Sequence, residues 1–294
     1  MDIGAQPLSR LRGLSLSAAG IRRLALLNAF MLLAIVATGA TVRLTGSGLG
    51  CEHWPGCQVH HFEPRSYHSY VEFGNRVVAA LTIFVTLATW IFARGHRRLA
   101  AVIFAGTLAQ APLGAITIHY DLNPYLVLTH LLLSLVVLGL AVVLVAQTRP
   151  RMRPTLPWWV LQAGLVVGLA ACVLLVSGTL ATASGKYPGS SGSTVVRRVW
   201  SFESAVYWHV RATAVFGIFF ALVLLWLWRA HAPQVRGALV LLGLLAVQMT
   251  IGEVQYRTEL PWWLVLAHVT MAACVWAAVV SFVFSLWRPR RMSG

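Results

Sequence analysis

Charge is what this chain has least of: 11% of its 294 residues are Asp, Glu, Lys or Arg, and only 8 are acidic. A soluble domain of this size carries roughly a quarter charged residues, so a water-facing globular surface is excluded. Long polar stretches are missing too. The longest segments outside apolar runs are about 43–70 and 182–204, too short for a separate soluble domain. What fills the chain instead is apolar: 58% of residues are hydrophobic and the mean hydropathy is +0.74. These residues gather in runs of about 18 to 25, the length of a helix that crosses a hydrocarbon core about 30 Å thick. Eight such runs are present, at about 24–42, 71–93, 99–118, 125–146, 158–181, 205–228, 237–254 and 262–286. The expected class is an all-α integral membrane protein.

The formal net charge of +15 raises the question of nucleic acid, and its placement answers it. Arg10, Arg12, Arg22, Arg23, Arg94, Arg97, Arg98, Arg149, Arg151, Arg153, Arg229, Arg236, Arg288, Arg290 and Arg291 fall in the termini or in alternate loops, while every acid but Asp2 falls on the other side. This is the positive-inside pattern, and it predicts a multi-pass protein of the cell membrane with both termini cytoplasmic. The basic excess is thus a topology signal, with attraction to anionic lipid headgroups second and no nucleic-acid partner expected. Trp158, Trp159, Trp262, Trp263 and Trp287 stand at span ends, where indoles favour the headgroup boundary.

Leu126-Val127-Leu128-Thr129-His130 recurs as Leu264-Val265-Leu266-Ala267-His268, 138 residues later. The same offset carries Gln110 onto Gln248, Gly114 onto Gly252 and Leu122 onto Leu260. The first run follows arginines and ends in small residues, as a secretory signal does. Its Thr38-Gly39 and Thr45-Gly46 are echoed by Ser177-Gly178 and Ser184-Gly185, so it reads as a retained span of a duplicated unit. The predicted fold is eight transmembrane helices in two tandem four-helix bundles related by a pseudo-twofold axis along the membrane normal. The divisions are a cytoplasmic tail 1–23, a first bundle 24–146, a basic, proline-broken cytoplasmic linker 147–157, a second bundle 158–286 and a tail 287–294.

An imidazole inside an apolar helix costs free energy unless it has a partner. His130, His209 and His268 lie near the outer ends of spans 4, 6 and 8. Neutral imidazole ligates metal, and one histidine from each of two facing helices can hold a heme iron. His209 and His268 form such a pair in the second half. The competing reading has each histidine bonded to a carbonyl or lining a polar cavity. In the first half His130 faces Glu72-Phe73-Gly74-Asn75-Arg76, where Asn75 stands in place of a second histidine. Asparagine ligates iron poorly, so this half is expected to hold a heme loosely or leave one iron face open. Glu72 and Arg76 are four apart on one helix and can pair; Arg76 and Arg211 can also neutralise heme propionates. The asymmetry reads as one structural heme site beside one reactive site.

Cys51 and Cys57 flank Glu52-His53-Trp54-Pro55-Gly56 in the first outer loop. Outside the cytoplasm such a pair favours a disulfide, either a loop staple or a switchable bond. Zinc with His53, His60 or His61 is the weaker alternative, because the spacing fits no standard site. Cys172 and Cys274 lie within spans as small apolar residues. His68, His96 and His231 are expected in loops without a signal, and His119 at a span end.

Taken together, these residues resemble the heme A synthase family, bacterial type, whose members oxidise heme O to heme A for terminal oxidases. The resemblance runs from about residue 25 to 286. It rests on the eight-span duplication, Thr45-Gly46-Ser47-Gly48-Leu49-Gly50-Cys51, Trp54-Pro55-Gly56-Cys57, Glu72 with Arg76, and His130, His209 and His268. It implies heme b held between His209 and His268, and heme O as the substrate of the first half. A ring methyl of heme O would become a formyl group through successive hydroxylations. Glu72 matches the family's essential acid and His130 one of its first-half histidines; Cys51 and Cys57 match a disulfide pair implicated in activity. Heme O synthase, an electron acceptor or donor, and membrane lipid are the partners so implied. Two departures stand out. The family often has Glu-x-x-His-Arg where this chain has Asn75, and the second outer loop, Lys186 to Arg198, lacks the cysteine pair of some members. Competing functions are a diheme electron carrier, which needs two well-ligated hemes, and a transporter, which needs breaks near span centres.

Overall fold

The computed structural model describes residues 16–53, 56–58, 63–150, 156–190 and 199–287. Arg10, Arg12, Trp54, Pro55, His60, His61, Arg151, Arg153, Arg288, Arg290 and Arg291 lie outside the described residues. Among the described residues eight α-helices follow one another: α1 (Ala18–Leu44), α2 (Tyr67–Phe92), α3 (Arg97–His119), α4 (Pro124–Gln147), α5 (Trp158–Ser184), α6 (Phe202–Arg229), α7 (Val235–Arg257) and α8 (Trp262–Trp287). All eight are long and apolar enough to cross a membrane. Large apolar side chains such as Phe84, Leu169, Leu222 and Val240 point outward, as they do on a surface solvated by lipid.

Helix ends depart from the hydropathy edges because caps decide them. α1 starts six residues before its apolar run, where the Ser17 hydroxyl accepts from Gly20 N–H at 3.1 Å. α2 starts on a reciprocal cap between Ser66 and Ser69, which places His68 in its first turn rather than in a loop. α4 starts on Asn123 followed by Pro124, whose fixed φ suits a first helical position.

In the first half α1 packs on α2 and α4, and α3 packs on the same two helices, closing a ring. The second half repeats the order from α5 to α8, with α6 and α7 only sparsely in contact. The halves meet through α4 and α8, with α1 against α8 and α4 against α5. There Trp276 of α8 donates its indole N–H to the Leu135 carbonyl of α4 at 2.8 Å. Gly139 makes room for it: a Cβ at that position would stand 3.1 Å from the indole nitrogen.

The loops of the two halves are stitched together at the end that carries the Cys51 loop. Arg43 donates to the carbonyls of Thr182 (2.7 Å) and Tyr187 (2.9 Å). Gly48 N–H donates to Gly189 O at 2.7 Å; within the second half, the Tyr187 hydroxyl donates to Leu260 O at 2.6 Å. Two turns recur in the duplication. Asp121 and Leu122 have φ of 48° and 56°, and Glu259 and Leu260 have 62° and 60°. Left-handed backbone costs a non-glycine residue about 1–2 kcal/mol. In the first half the turn drives the Leu122 side chain against Gly48 and Gly189, where it helps to roof the bundle.

Candidate functional site

A cavity of about 570 Å³ occupies the first half beneath that roof, within the range of about 300–1,000 Å³ usual for ligand pockets. Its polar lining comes from Glu72, Asn75 and Arg76 of α2, Gln110 of α3, and His130 and Ser134 of α4. Most of the remaining wall is apolar, and Thr82 and Thr107 lie at its deep end. The residues singled out from the first-half sequence therefore converge on one chamber.

Glu72 is buried and fully engaged on one side. Its Oε1 accepts from Arg76 Nη2 at 2.5 Å, and its Oε2 accepts from Cys51 N–H at 2.9 Å. Arg76 also donates to the carbonyls of His53 (2.7 Å) and Gly56. The ion pair is thus also a clamp on the loop between the cysteines. That loop is closed by a Cys51–Cys57 disulfide, so neither sulfur is left for a zinc site. Arg211 lies elsewhere: exposed, its guanidinium 3.1 Å from the Tyr207 ring centroid, a cation–π stack.

Three imidazoles share one local design. Each rests on a glycine of the preceding helix: a Cβ on Gly114 would stand 3.5 Å from His130 Cε1, one on Gly178 3.1 Å from His209 Cε1, and one on Gly252 3.0 Å from His268 Cε1. At Gly178 and Gly252 a side chain would have to displace the ring. Asn75 completes the set, with its Oδ1 3.9 Å from a Cβ on Gly39.

The hydrogen bonds follow the same plan. Ser177 donates its hydroxyl to Leu174 O at 2.8 Å, so its oxygen, 3.0 Å from His209 Nδ1, acts as the acceptor there. Nδ1 then carries the proton, and Nε2 has the lone pair that a metal needs. In the first half Thr38 takes the place of Ser177 and donates to Asn75 Oδ1 at 2.7 Å. Gln248 donates to His268 O at 3.2 Å and meets its Nε2 at 3.2 Å. Gln110 donates to His130 O at 3.3 Å and to Ser134 at 2.9 Å. His130 Nδ1 and His268 Nδ1 are buried without a partner among the described residues. Two imidazoles seated on glycine, with the tautomer of one set by a neighbouring serine, are neutral nitrogen donors of the kind that can ligate a metal.

Thr38, Ser177 and Arg43 were not identified as site residues from sequence. The Thr38-Gly39 and Ser177-Gly178 echo was the available signal for the first two; Arg43 offered none, because its partners lie more than 130 residues away.

A family model described as "Cytochrome oxidase assembly protein" (COX15-CtaA) matches residues 22–69 and 61–280. Among curated proteins, the Heme A synthase of Geobacillus kaustophilus is 37% identical over 103 residues, 33% of this chain and 32% of that protein. The Heme A synthase of Geobacillus thermodenitrificans is 33% identical over 128 residues, 41% of this chain and 40% of that protein. That of Shewanella oneidensis is 28% identical over 141 residues, 40% of this chain and 43% of that protein. The matched stretches thus span a third to two fifths of these relatives' length.

Proposed function

This chain belongs to the COX15-CtaA family of cytochrome oxidase assembly proteins, and from that premise we propose that it is a heme A-forming membrane oxidoreductase. The first-half cavity takes heme O as substrate, and a ring methyl is oxidised to the formyl group of heme A. The second half holds heme b between His209 and His268. The two halves act as tandem bundles related by a pseudo-twofold axis, with both termini cytoplasmic. The observation that carries this reading is the convergence of Glu72, Asn75, Arg76 and His130 on one apolar chamber of about 570 Å³.

The chain's own groups divide the work. The apolar walls exclude water and seat a flat macrocycle; Gly39 and Gly114 keep α1 and α3 clear of Asn75 and His130. His130 offers one ring nitrogen to the substrate iron. Asn75, a weak ligand held by Thr38, leaves the opposite iron face replaceable, as suits a substrate that must depart. Glu72 is fixed by Arg76 and Cys51 N–H. From there it takes up a proton from the reacting carbon or counters positive charge developing on it. Heme b, when bound, supplies one-electron redox chemistry beside the substrate half. Heme O synthase is the class of enzyme that supplies the substrate, and an electron acceptor or donor completes turnover.

Helices unbroken at their centres speak against a transporter. The deciding experiment is a reduced-minus-oxidised spectrum of the purified protein, followed by extraction and chromatography of its hemes. Heme O and heme A beside heme B are expected. Heme B alone would favour an electron carrier, and a protein without heme would refute both readings.

A further inference from the structure

Beneath the cavity the two halves differ in a way the proposed heme sites do not use. On α2 the buried positions beyond Asn75 are Thr82, Thr86 and Thr89. At the same spacings beyond His209, α6 buries Phe216, Phe220 and Val223. Phe216 stacks on Phe220 at 6.0 Å, and Phe220 meets Phe282 edge-on at 5.7 Å. The second half is therefore plugged with aromatic rings where the first carries hydroxyls.

The three hydroxyls lie on the helix face of Asn75, because seven, eleven and fourteen residues are close to whole turns. Each donates to a carbonyl of its own helix, Thr82 to Val78 (2.7 Å), Thr86 to Ile83 (2.9 Å) and Thr89 to Val85 (2.7 Å). Their lone pairs remain as acceptors. A second observation points into the same space. Asn28 of α1 is fully buried, and neither Nδ2 nor Oδ1 has a partner among the described residues. Gly39 faces Asn75 across the α1–α2 contact. Three turns inward, about 16 Å, the antiparallel register brings Asn28 opposite Thr86.

An amide with both ends unbonded is costly in an apolar core. Water is the ligand whose chemistry fits: it accepts from Nδ2 and donates to Oδ1 and to threonine oxygens. We infer that Asn28, Thr82, Thr86 and Thr89 hold a file of water that joins the cavity to the arginine-bearing end of the helices and conducts protons along it. From Glu72 to Thr89 the α2 face runs about 26 Å, most of a hydrocarbon core about 30 Å thick. Its use rests on the proposed reaction: with water as the oxygen source, taking a methyl group to a formyl group releases four protons and four electrons, the electrons pass to the acceptor, and the protons need an exit. The matching face of the second half, which only holds a cofactor, stays dry.

The test uses the full chain in native membranes, with Cys172 and Cys274 replaced by alanine and the disulfide kept. Single reporters Thr86→Cys and Val223→Cys are exposed to Ag⁺, a probe small enough for a water passage. Thiols left unreacted are then counted with a maleimide after denaturation. Val223 lies nearer the arginine-bearing end, so depth alone would make it the faster site. The water file predicts the reverse: Thr86→Cys reacts at least tenfold faster, and adding Asn28→Leu (or Asn28→Val, should the leucine variant not accumulate) slows it to the Val223→Cys rate. Equal rates, or a faster Val223→Cys, would overturn the inference. Heme A content of the unsubstituted protein is scored in parallel. Its absence would sink the proposed reaction and leave the thiol rates to decide the water file.

Discussion

The Thr38 hydroxyl donates to Asn75 Oδ1 at 2.7 Å, at the place where in the second half the Ser177 oxygen stands 3.0 Å from His209 Nδ1 as its acceptor. Asn75 thus has a glycine beneath it and a hydroxyl beside it, as His209 has. An amide thus stands in the first half where the second half has an imidazole.

Asn75→His should therefore restore a ligand. Titrating hemin into the purified variant is expected to give a second low-spin, bis-histidine signal in the visible spectrum, and heme A formation should fall because the substrate is gripped on both faces. An unchanged spectrum would show that position 75 does not face the iron.

Glu72→Ala removes the carboxylate from the chamber while leaving the second half untouched. Heme A formation should be lost, and the b-type spectrum should stay at wild-type intensity. Heme A production at anything near the normal rate would remove Glu72 from the reaction.

Arg76→Leu leaves Glu72 buried without its counter-charge, a loss of about 3–5 kcal/mol for pairs of this kind. It also frees the carbonyls of His53 and Gly56. The loop should lift, and a mild thiol reductant should open Cys51–Cys57 several-fold faster, measured by alkylation of the released thiols. Unaltered reduction kinetics would mean that Arg76 does not hold the loop.

Ser177→Ala takes away the acceptor that sets the His209 tautomer. Outer partners of this kind are worth about 10–100-fold in metal affinity, so heme b should dissociate correspondingly faster from the variant. Gly178→Val, whose side chain would displace the His209 ring, should lose the b-type spectrum outright. Retained heme b in Gly178→Val would place the iron away from His209.

Most of the architecture was legible before folding was considered, and the reason is the solvent. Lipid requires each crossing segment to satisfy its own backbone, so eight apolar runs became eight helices, altered mainly at their capped ends. The recurring Leu-Val-Leu-x-His was legible as well, and it led to His130 and His268. Hydropathy, however, averages over a window. It did not separate the inner face of α2, with Thr82, Thr86 and Thr89, from its lipid face. It also left His68 in a loop, because the Ser66–Ser69 cap is a matter of hydrogen bonds rather than polarity.

By itself, then, the sequence determined the eight long apolar helices found among the described residues and the recurring histidine motif, since these follow from local composition and from an internal likeness. Tertiary structure alone decided what those residues touch. It joined Glu72 to the Cys51 amide, turned Arg76 toward the loop carbonyls, carried Arg43 across to Thr182 and Tyr187, and buried Asn28 in the core. Contacts of that kind depend on which faces of distant helices meet, and no pattern confined to one segment encodes them.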